Sequence, residues 1–129
     1  MAASRGDRLK KLVAVQEQLK ALHETRHAGF VANAIAAEAE AQSLSDSFDS
    51  TDGISQLFPE LYHRRIKEAI DKKQLNLGLA NVEVGKIATA TARTNMVERA
   101  YREVRRQDER DSADRERLEI IERKSAEDK

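Results

Sequence analysis

The chain has 129 residues, of which 40% are hydrophobic, 4% aromatic and 36% charged, with no cysteine. A compact globule of this length normally offsets chain entropy with more bulky apolar side chains, whereas a coiled coil needs only a narrow apolar seam. The absence of cysteine excludes a disulfide framework and thiolate metal sites, and 23 basic residues against 23 acidic ones leave no net basic footprint for general nucleic-acid binding.

The charge is unevenly spread. Residues 1–26 carry six basic and three acidic side chains, residues 27–63 carry six acidic and no Lys or Arg, and residues 64–129 carry seventeen basic and fourteen acidic. The opening MAASRGDRLKKL holds no apolar core of the signal-peptide kind, and no run approaches the ~20 apolar residues of a membrane span. The expectation is a cytoplasmic protein without stable membrane insertion. A basic amphipathic segment around Leu9, Leu12 and Val13 has too narrow an apolar stripe for a membrane surface.

In chain order, Ser4 or Asp7 caps a first helix predicted over about 7–46. Leu12, Val15, Leu19 and Leu22 fall at coiled-coil spacing, and Phe30, Ala34, Ala37, Ala41, Leu44 and Phe48 resume it. Between the two runs the steps through Arg26 amount to a stutter. A hinge over about 47–58 follows, rich in Asp, Ser and Thr, with Gly53 free to take positive φ. Pro59 then suits the first position of a second helix, predicted over about 59–125. Its seam reads Ile66, Ile70, Lys73, Leu77, Ala80, Val84, Ile87, Thr91, Thr94, Glu98 and Tyr101.

The predicted fold is all-α: one long antiparallel coiled-coil helical hairpin with an overhanging C-terminal helix. Folding at the hinge brings Leu19 opposite Ile87, Phe30 opposite Leu75 or Leu77, and Gly29 opposite Gly78. The first helix runs out at its Ser4 end, opposite about residue 100 of the second, so the last part of the second has no partner within the hairpin. That part holds i, i+4 pairs in the stabilising order, such as Asp111 with Arg115 and Glu119 with Arg123. It also holds three bulky apolar residues, Leu118, Ile120 and Ile121, which read as a docking site on a charged free end. The polar seam at Thr91, Thr94 and Glu98 leaves partnering or homodimerisation open through that half.

One catalytic signature is matched: His23-Glu24-Thr25-Arg26-His27 is the H-E-x-x-H of zinc hydrolases. The cation of Arg26 inside the motif opposes a metal, a third ligand is required, and His63 lies far off by the hinge. A coiled coil also offers no cleft for substrate. The five glycines stand singly, so no phosphate loop is present. The reading is of a non-enzyme without cofactor, metal or catalytic residues, with a zinc-dependent hydrolase as a remote alternative.

The opening R-L-K-K-L-V-A-V-Q-E-Q-L (Arg8–Leu19) and the closing R-E-R-L-E-I-I-E-R (Arg115–Arg123), set on a hairpin of this length, resemble the FliJ-like and YscO-like stalk proteins of type III export systems. The resemblance covers the whole chain and is one of architecture and pattern. It implies that the two chain ends enter a hexameric export ATPase, as the stalk of a rotary ATPase does. Part of the hairpin then contacts the cytoplasmic domain of the export gate. Carried onto this chain, the ATPase-facing residues are Leu9, Leu12, Val13, Leu118, Ile120 and Ile121, and the gate-facing candidates are Phe30 and Tyr62. The first helix is shorter relative to the second, and the hinge more acidic, than that family's pattern. A coiled-coil adaptor or secretion chaperone with another partner is the alternative.

Overall fold

The computed structural model describes residues 3–50 and 54–128. These residues form a long helix α1 (Arg5–Phe48), a single-turn α2 (Ile54–Leu57) and a long helix α3 (Pro59–Glu127), with no strand among them. The chain is all-α, and α1 and α3 pack against each other as the arms of a hairpin.

The helix ends follow from local chemistry. Ser4 stands at the N-cap of α1, its Oγ accepting from the Asp7 amide at 3.1 Å, with the Asp7 carboxylate near the positive end of the helix. At the other end, the amide and hydroxyl of Ser50 both donate to the Ser47 carbonyl, at 3.3 and 2.8 Å, and close the last turn. Pro59 opens α3 where its missing N–H costs nothing, and the Tyr62 amide bonds back to the Phe58 carbonyl at 3.3 Å. α1 therefore exceeds its predicted span by two residues at each end, and α3 ends at Glu127. The expected turn residues Thr51, Asp52 and Gly53 lie outside the described residues.

The chain divides into two compact units. In the unit Leu19–Thr89, antiparallel pairing is fixed by Phe48 against Tyr62, Glu38 with Lys73 at 3.3 Å, and His23 with Glu83 at 2.7 Å. The side chains withdrawn from water follow one repeat on each helix. On α1 they are Lys20, His23, His27, Phe30, Ala34, Ala37, Ala41, Leu44 and Phe48, with Val31 and Ser45 half-buried beside the repeat; on α3 they are Tyr62, Ile66, Ala69, Lys73, Asn76, Ala80, Glu83 and Ile87. In the unit formed by Met1–Gln18 and Ala90–Lys129, Gly6, Leu9, Val13 and Gln16 on α1 are withdrawn along with Ala90, Thr91, Thr94, Val97, Glu98, Ala100, Tyr101 and Val104 on α3.

This seam differs from the predicted one. Leu12, Val15, Leu19 and Leu22 are exposed, and α1 instead turns Leu9, Val13, Gln16, Lys20, His23 and His27 inward, joining Phe30 with no stutter. On α3 the expected Ile66, Lys73, Ala80, Ile87, Thr94 and Tyr101 hold. Between them, however, Ala69, Asn76 and Glu83 are the withdrawn residues in place of Ile70, Leu77 and Val84, while Thr91 and Glu98 are half-buried next to the withdrawn Ala90 and Val97. The reason is helix phase. Among the described residues the buried apolar ones are all alanines, Ala34, Ala37, Ala69, Ala80 and Ala90. Such small side chains set the line of closest approach, and an unbroken 3,4 repeat carries that line into polar positions. Turning the leucines inward would need about a residue's rotation, roughly 100° at 3.6 residues per turn. Gly29 and Gly78 do not face each other; a Cβ on either would meet nothing within 4 Å.

The polar seam is partly satisfied by its own helices. Thr94 Oγ1 donates to the Ala90 carbonyl at 2.8 Å, and Asn76 Nδ2 to the Lys72 carbonyl at 2.8 Å. Gln16 Oε1 is buried without a hydrogen-bond partner. A buried unsatisfied acceptor costs about 1–3 kcal/mol, so Gln16→Leu should raise stability by that order in urea unfolding. Leu22→Gln, on the exposed side, should change it by no more than about 0.5 kcal/mol. The opposite ranking would return the seam to the leucine face.

Candidate interaction surfaces

The H-E-x-x-H segment is built into the seam. His23 and His27 lie one helical turn apart and both are half-buried, whereas Glu24 is exposed, its carboxylate 3.9 Å from Lys20. His23 Nδ1 donates to Glu83 Oε2 at 2.7 Å, which fixes the proton on that nitrogen while the carboxylate is ionised. Lys86 reaches the other oxygen, Oε1, at 3.5 Å. Burial acts to raise the Glu83 pKa, but the His23 hydrogen bond and the Lys86 and His23 charges outweigh it, and the carboxyl titrates below its ordinary 4.5. One motif histidine is thus engaged across the seam by a carboxylate that the motif does not contain. Among the described residues, no group of three or more His, Cys, Asp or Glu is placed to hold a metal ion.

The residues assigned to an ATPase contact fall on different surfaces. Leu9 and Val13 are half-buried in the seam, while Leu12 is exposed beside them. A Cβ on Gly6 would stand 3.8 Å from Val104 and 3.9 Å from Asp108, so α1 begins at this level of α3. Leu118 lies ten residues beyond Asp108, or ~15 Å along the helix axis. From Arg105 to Asp128 every side chain is exposed, including Leu118, Ile120 and Ile121 at 58, 51 and 61%. Leu118 and Ile121, three residues apart, share one side of the helix, and Ile120 projects from another.

This end of α3 is held by its own polar side chains. Arg106 pairs with Glu103 at 3.1 Å and Arg105 with Glu109 at 3.4 Å, and Gln107 donates to Asp111 at 3.1 Å. Arg115 reaches the backbone carbonyl of Asp111 at 3.5 Å rather than the carboxylate that its spacing suggested, and Arg102 reaches the carbonyl of Glu98 at 3.4 Å.

Of the two gate-facing candidates, Tyr62 is half-buried, its ring 6.1 Å from that of Phe48, which also packs on His63 at 5.0 Å. Phe30 is half-buried far along the seam. The structure therefore does not bring them together. Next to the hinge, Leu57, Phe58 and Leu61 are exposed instead. The apolar run L-F-P-E-L was the available signal for them, but beside a hinge it read only as a helix start.

The larger apolar side chains lie on the flanks of the seam. In the unit Leu19–Thr89 these are Leu19, Leu22 and Ile35 on α1, and Ile70, Leu75, Leu77, Leu79, Val82 and Val84 on α3. No helix is long and apolar enough to cross a membrane among the described residues. The chain matches no protein-family model, no curated protein and no solved structure at a significant level.

The buried carboxylate predicts a pH response. Because Glu83 titrates below its ordinary 4.5 in the folded chain, its ionised form contributes stability that is complete above that value. The contribution is lost as pH falls through the folded pKa. Glu83→Gln should therefore be less stable than the parent at neutral pH, with the gap closing as pH falls below 4.5 and through the folded pKa. Urea midpoints of both proteins across that range check it, and a gap independent of pH would contradict the pairing.

Proposed function

We propose that the protein is a non-enzymatic component of a flagellar or type III protein export apparatus, binding the export ATPase as its stalk or escort. It would act in the cytoplasm, peripherally at the apparatus, with the export gate's cytoplasmic domain as a second contact. The observation that carries this reading is the end of α3. Beyond the level where α1 begins, the helix continues with every side chain exposed and presents Leu118 and Ile121 on one side. A helix with bulky apolar anchors among alternating charges is a form that inserts into a complementary sleeve, where burying each anchor is worth about 1.5–3 kcal/mol. Leu12, exposed on α1, would add to the contact, with Leu9 and Val13 holding the arms together beneath it.

A second reading is a coiled-coil adaptor or secretion chaperone with another partner. The exposed Leu57, Phe58 and Leu61 favour it, because they offer a docking point at the hinge that the stalk role does not require.

Co-purification with the export ATPase separates the two. The full chain should bind, and a chain ending at Gln107 should not. Leu118→Asp with Ile121→Asp should weaken binding at least tenfold while leaving helicity unchanged. Equal binding by the full and shortened chains would sink the stalk reading. No ATPase binding by the full chain would leave the adaptor reading.

A further inference from the structure

We propose that the stretch of α1 just ahead of Arg26 is a two-phase device. It rolls against α3 between the seam that buries His23 and a second seam that buries Leu19 and Leu22. Within the unit Leu19–Thr89, one polar group holds the first phase. His23 meets Glu83 at 2.7 Å, and Lys86 reaches the same carboxylate at 3.5 Å. Lys20 and His27 line the seam on either side of His23. Immediately beside this polar stretch stand apolar residues of the kind a seam ordinarily takes. Leu19, Leu22 and Val84 are 40, 44 and 49% exposed, whereas Glu83 is only 4% exposed.

The two sets lie one helical step apart, in opposite senses on the two arms. Leu19 and Leu22 each precede an inward residue of α1, Lys20 and His23, and Val84 follows the inward Glu83 of α3. One residue is a turn of about 100°. On antiparallel helices, a step back on one arm and a step forward on the other lead to opposite flanks. Leu22 and Val84 therefore point away from each other, although they stand at the level of the His23–Glu83 bond. A roll of α1 by about one residue turns Leu19 and Leu22 inward. Ala80 and Ile87 belong to the seam in either phase, so α3 needs only about half that roll to admit Val84. Leu22 then meets Val84, and Leu19 meets Ile87.

The rest of α1 keeps its place. Phe30, Ala34 and Ala37 are already inward, and the steps from Leu22 through Arg26 to Phe30 are four and four. That is a stutter, which a coiled coil takes up by local unwinding. The two phases are close in free energy, because replacing a buried ion pair by well-packed apolar side chains is often neutral or stabilising. The second phase releases Lys20, His23 and Glu83 to water and covers Leu19, Leu22 and Val84; the first does the reverse. Packed helices pass between such arrangements as discrete states. The leucines are thus shown in one phase and hidden in the other, and the His23–Glu83 bond is the latch.

The chain has no cysteine, so introduced pairs report the phase. Leu22→Cys with Val84→Cys should form an intramolecular disulfide on mild oxidation, because only the second phase sets the two positions face to face. Adding Glu83→Gln removes the latch and should speed that linkage roughly tenfold or more, with helicity unchanged. Leu22→Cys with Gly85→Cys is the control. A Cβ at Gly85 would meet nothing within 4 Å, and one further step along α3 turns it away from α1 in both phases. Fraying of the arms would link the control pair as readily as the first pair, whereas the roll leaves it unlinked. A chain ending at Gln107 keeps every residue involved and should link at the full chain's rate, whatever its ATPase binding. Absence of the Leu22→Cys, Val84→Cys linkage with and without Glu83→Gln overturns the proposal, as does equal linkage of the control pair. A linkage rate that Glu83→Gln leaves unchanged overturns it too.

Discussion

The fold depends on how closely two helices approach where their facing side chains are alanine. Ala34 and Ala37 on α1, and Ala69 and Ala80 on α3, are almost wholly withdrawn from water in the unit Leu19–Thr89. Alanine gives little apolar area, so this seam contributes less hydrophobic energy per turn than a leucine seam. It offers shape instead: small side chains admit close backbones, and that closeness fixes the rotational phase of both helices. Once the phase is fixed, whatever lies three and four residues further along is carried inward. That is how Gln16, Lys20, His23, Asn76, Glu83 and Thr94 come to line an interior that composition alone would give to leucine.

A buried carboxylate in such a place is expensive unless paired, and Glu83 is paired with both oxygens engaged. Its worth lies in specificity. Sliding α1 by one heptad would remove His23 from Glu83 and leave the carboxylate facing Gln16 or Phe30. A seam of alanines alone would tolerate such a slip, because one alanine packs much like the next. The His23–Glu83 bond thus does for this hairpin what a lone buried asparagine does for a two-stranded zipper: it names one register.

The sequence made the ends of the helices legible. Ser4, the breaker-rich stretch after Phe48 and Pro59 each act within a few residues, so their chemistry is written locally. The fold-back was legible as well, because a single hinge leaves an antiparallel partner with little choice, and His23 meets Glu83 near the level that the hinge implies. The seam face was only half legible. On α3 alternate positions were recovered, but the intervening choice went to the bulkier neighbour: Ile70 over Ala69, Leu77 over Asn76, Val84 over Glu83. The same preference for size selected Leu12, Val15, Leu19 and Leu22 on α1. Periodicity identifies that a face is apolar but not which partner it serves, and here two apolar repeats run one residue apart. The unpaired end of α3 was foreseen from arm lengths, whereas the hinge cluster at Leu57, Phe58 and Leu61 was not, since a short turn carries no period to read.

The ladder of contacts also has a temporal reading. Phe48 meets Tyr62 and His63 across a short loop, whereas Gly6 meets Val104 only after nearly the whole chain has been gathered. Closing a short loop costs less entropy than closing a long one, and each pairing formed shortens the loop the next must close. The hairpin should therefore assemble from the aromatic cluster outward, like a zip drawn from its closed end. It should open in the reverse order, with the start of α1 parting first from α3.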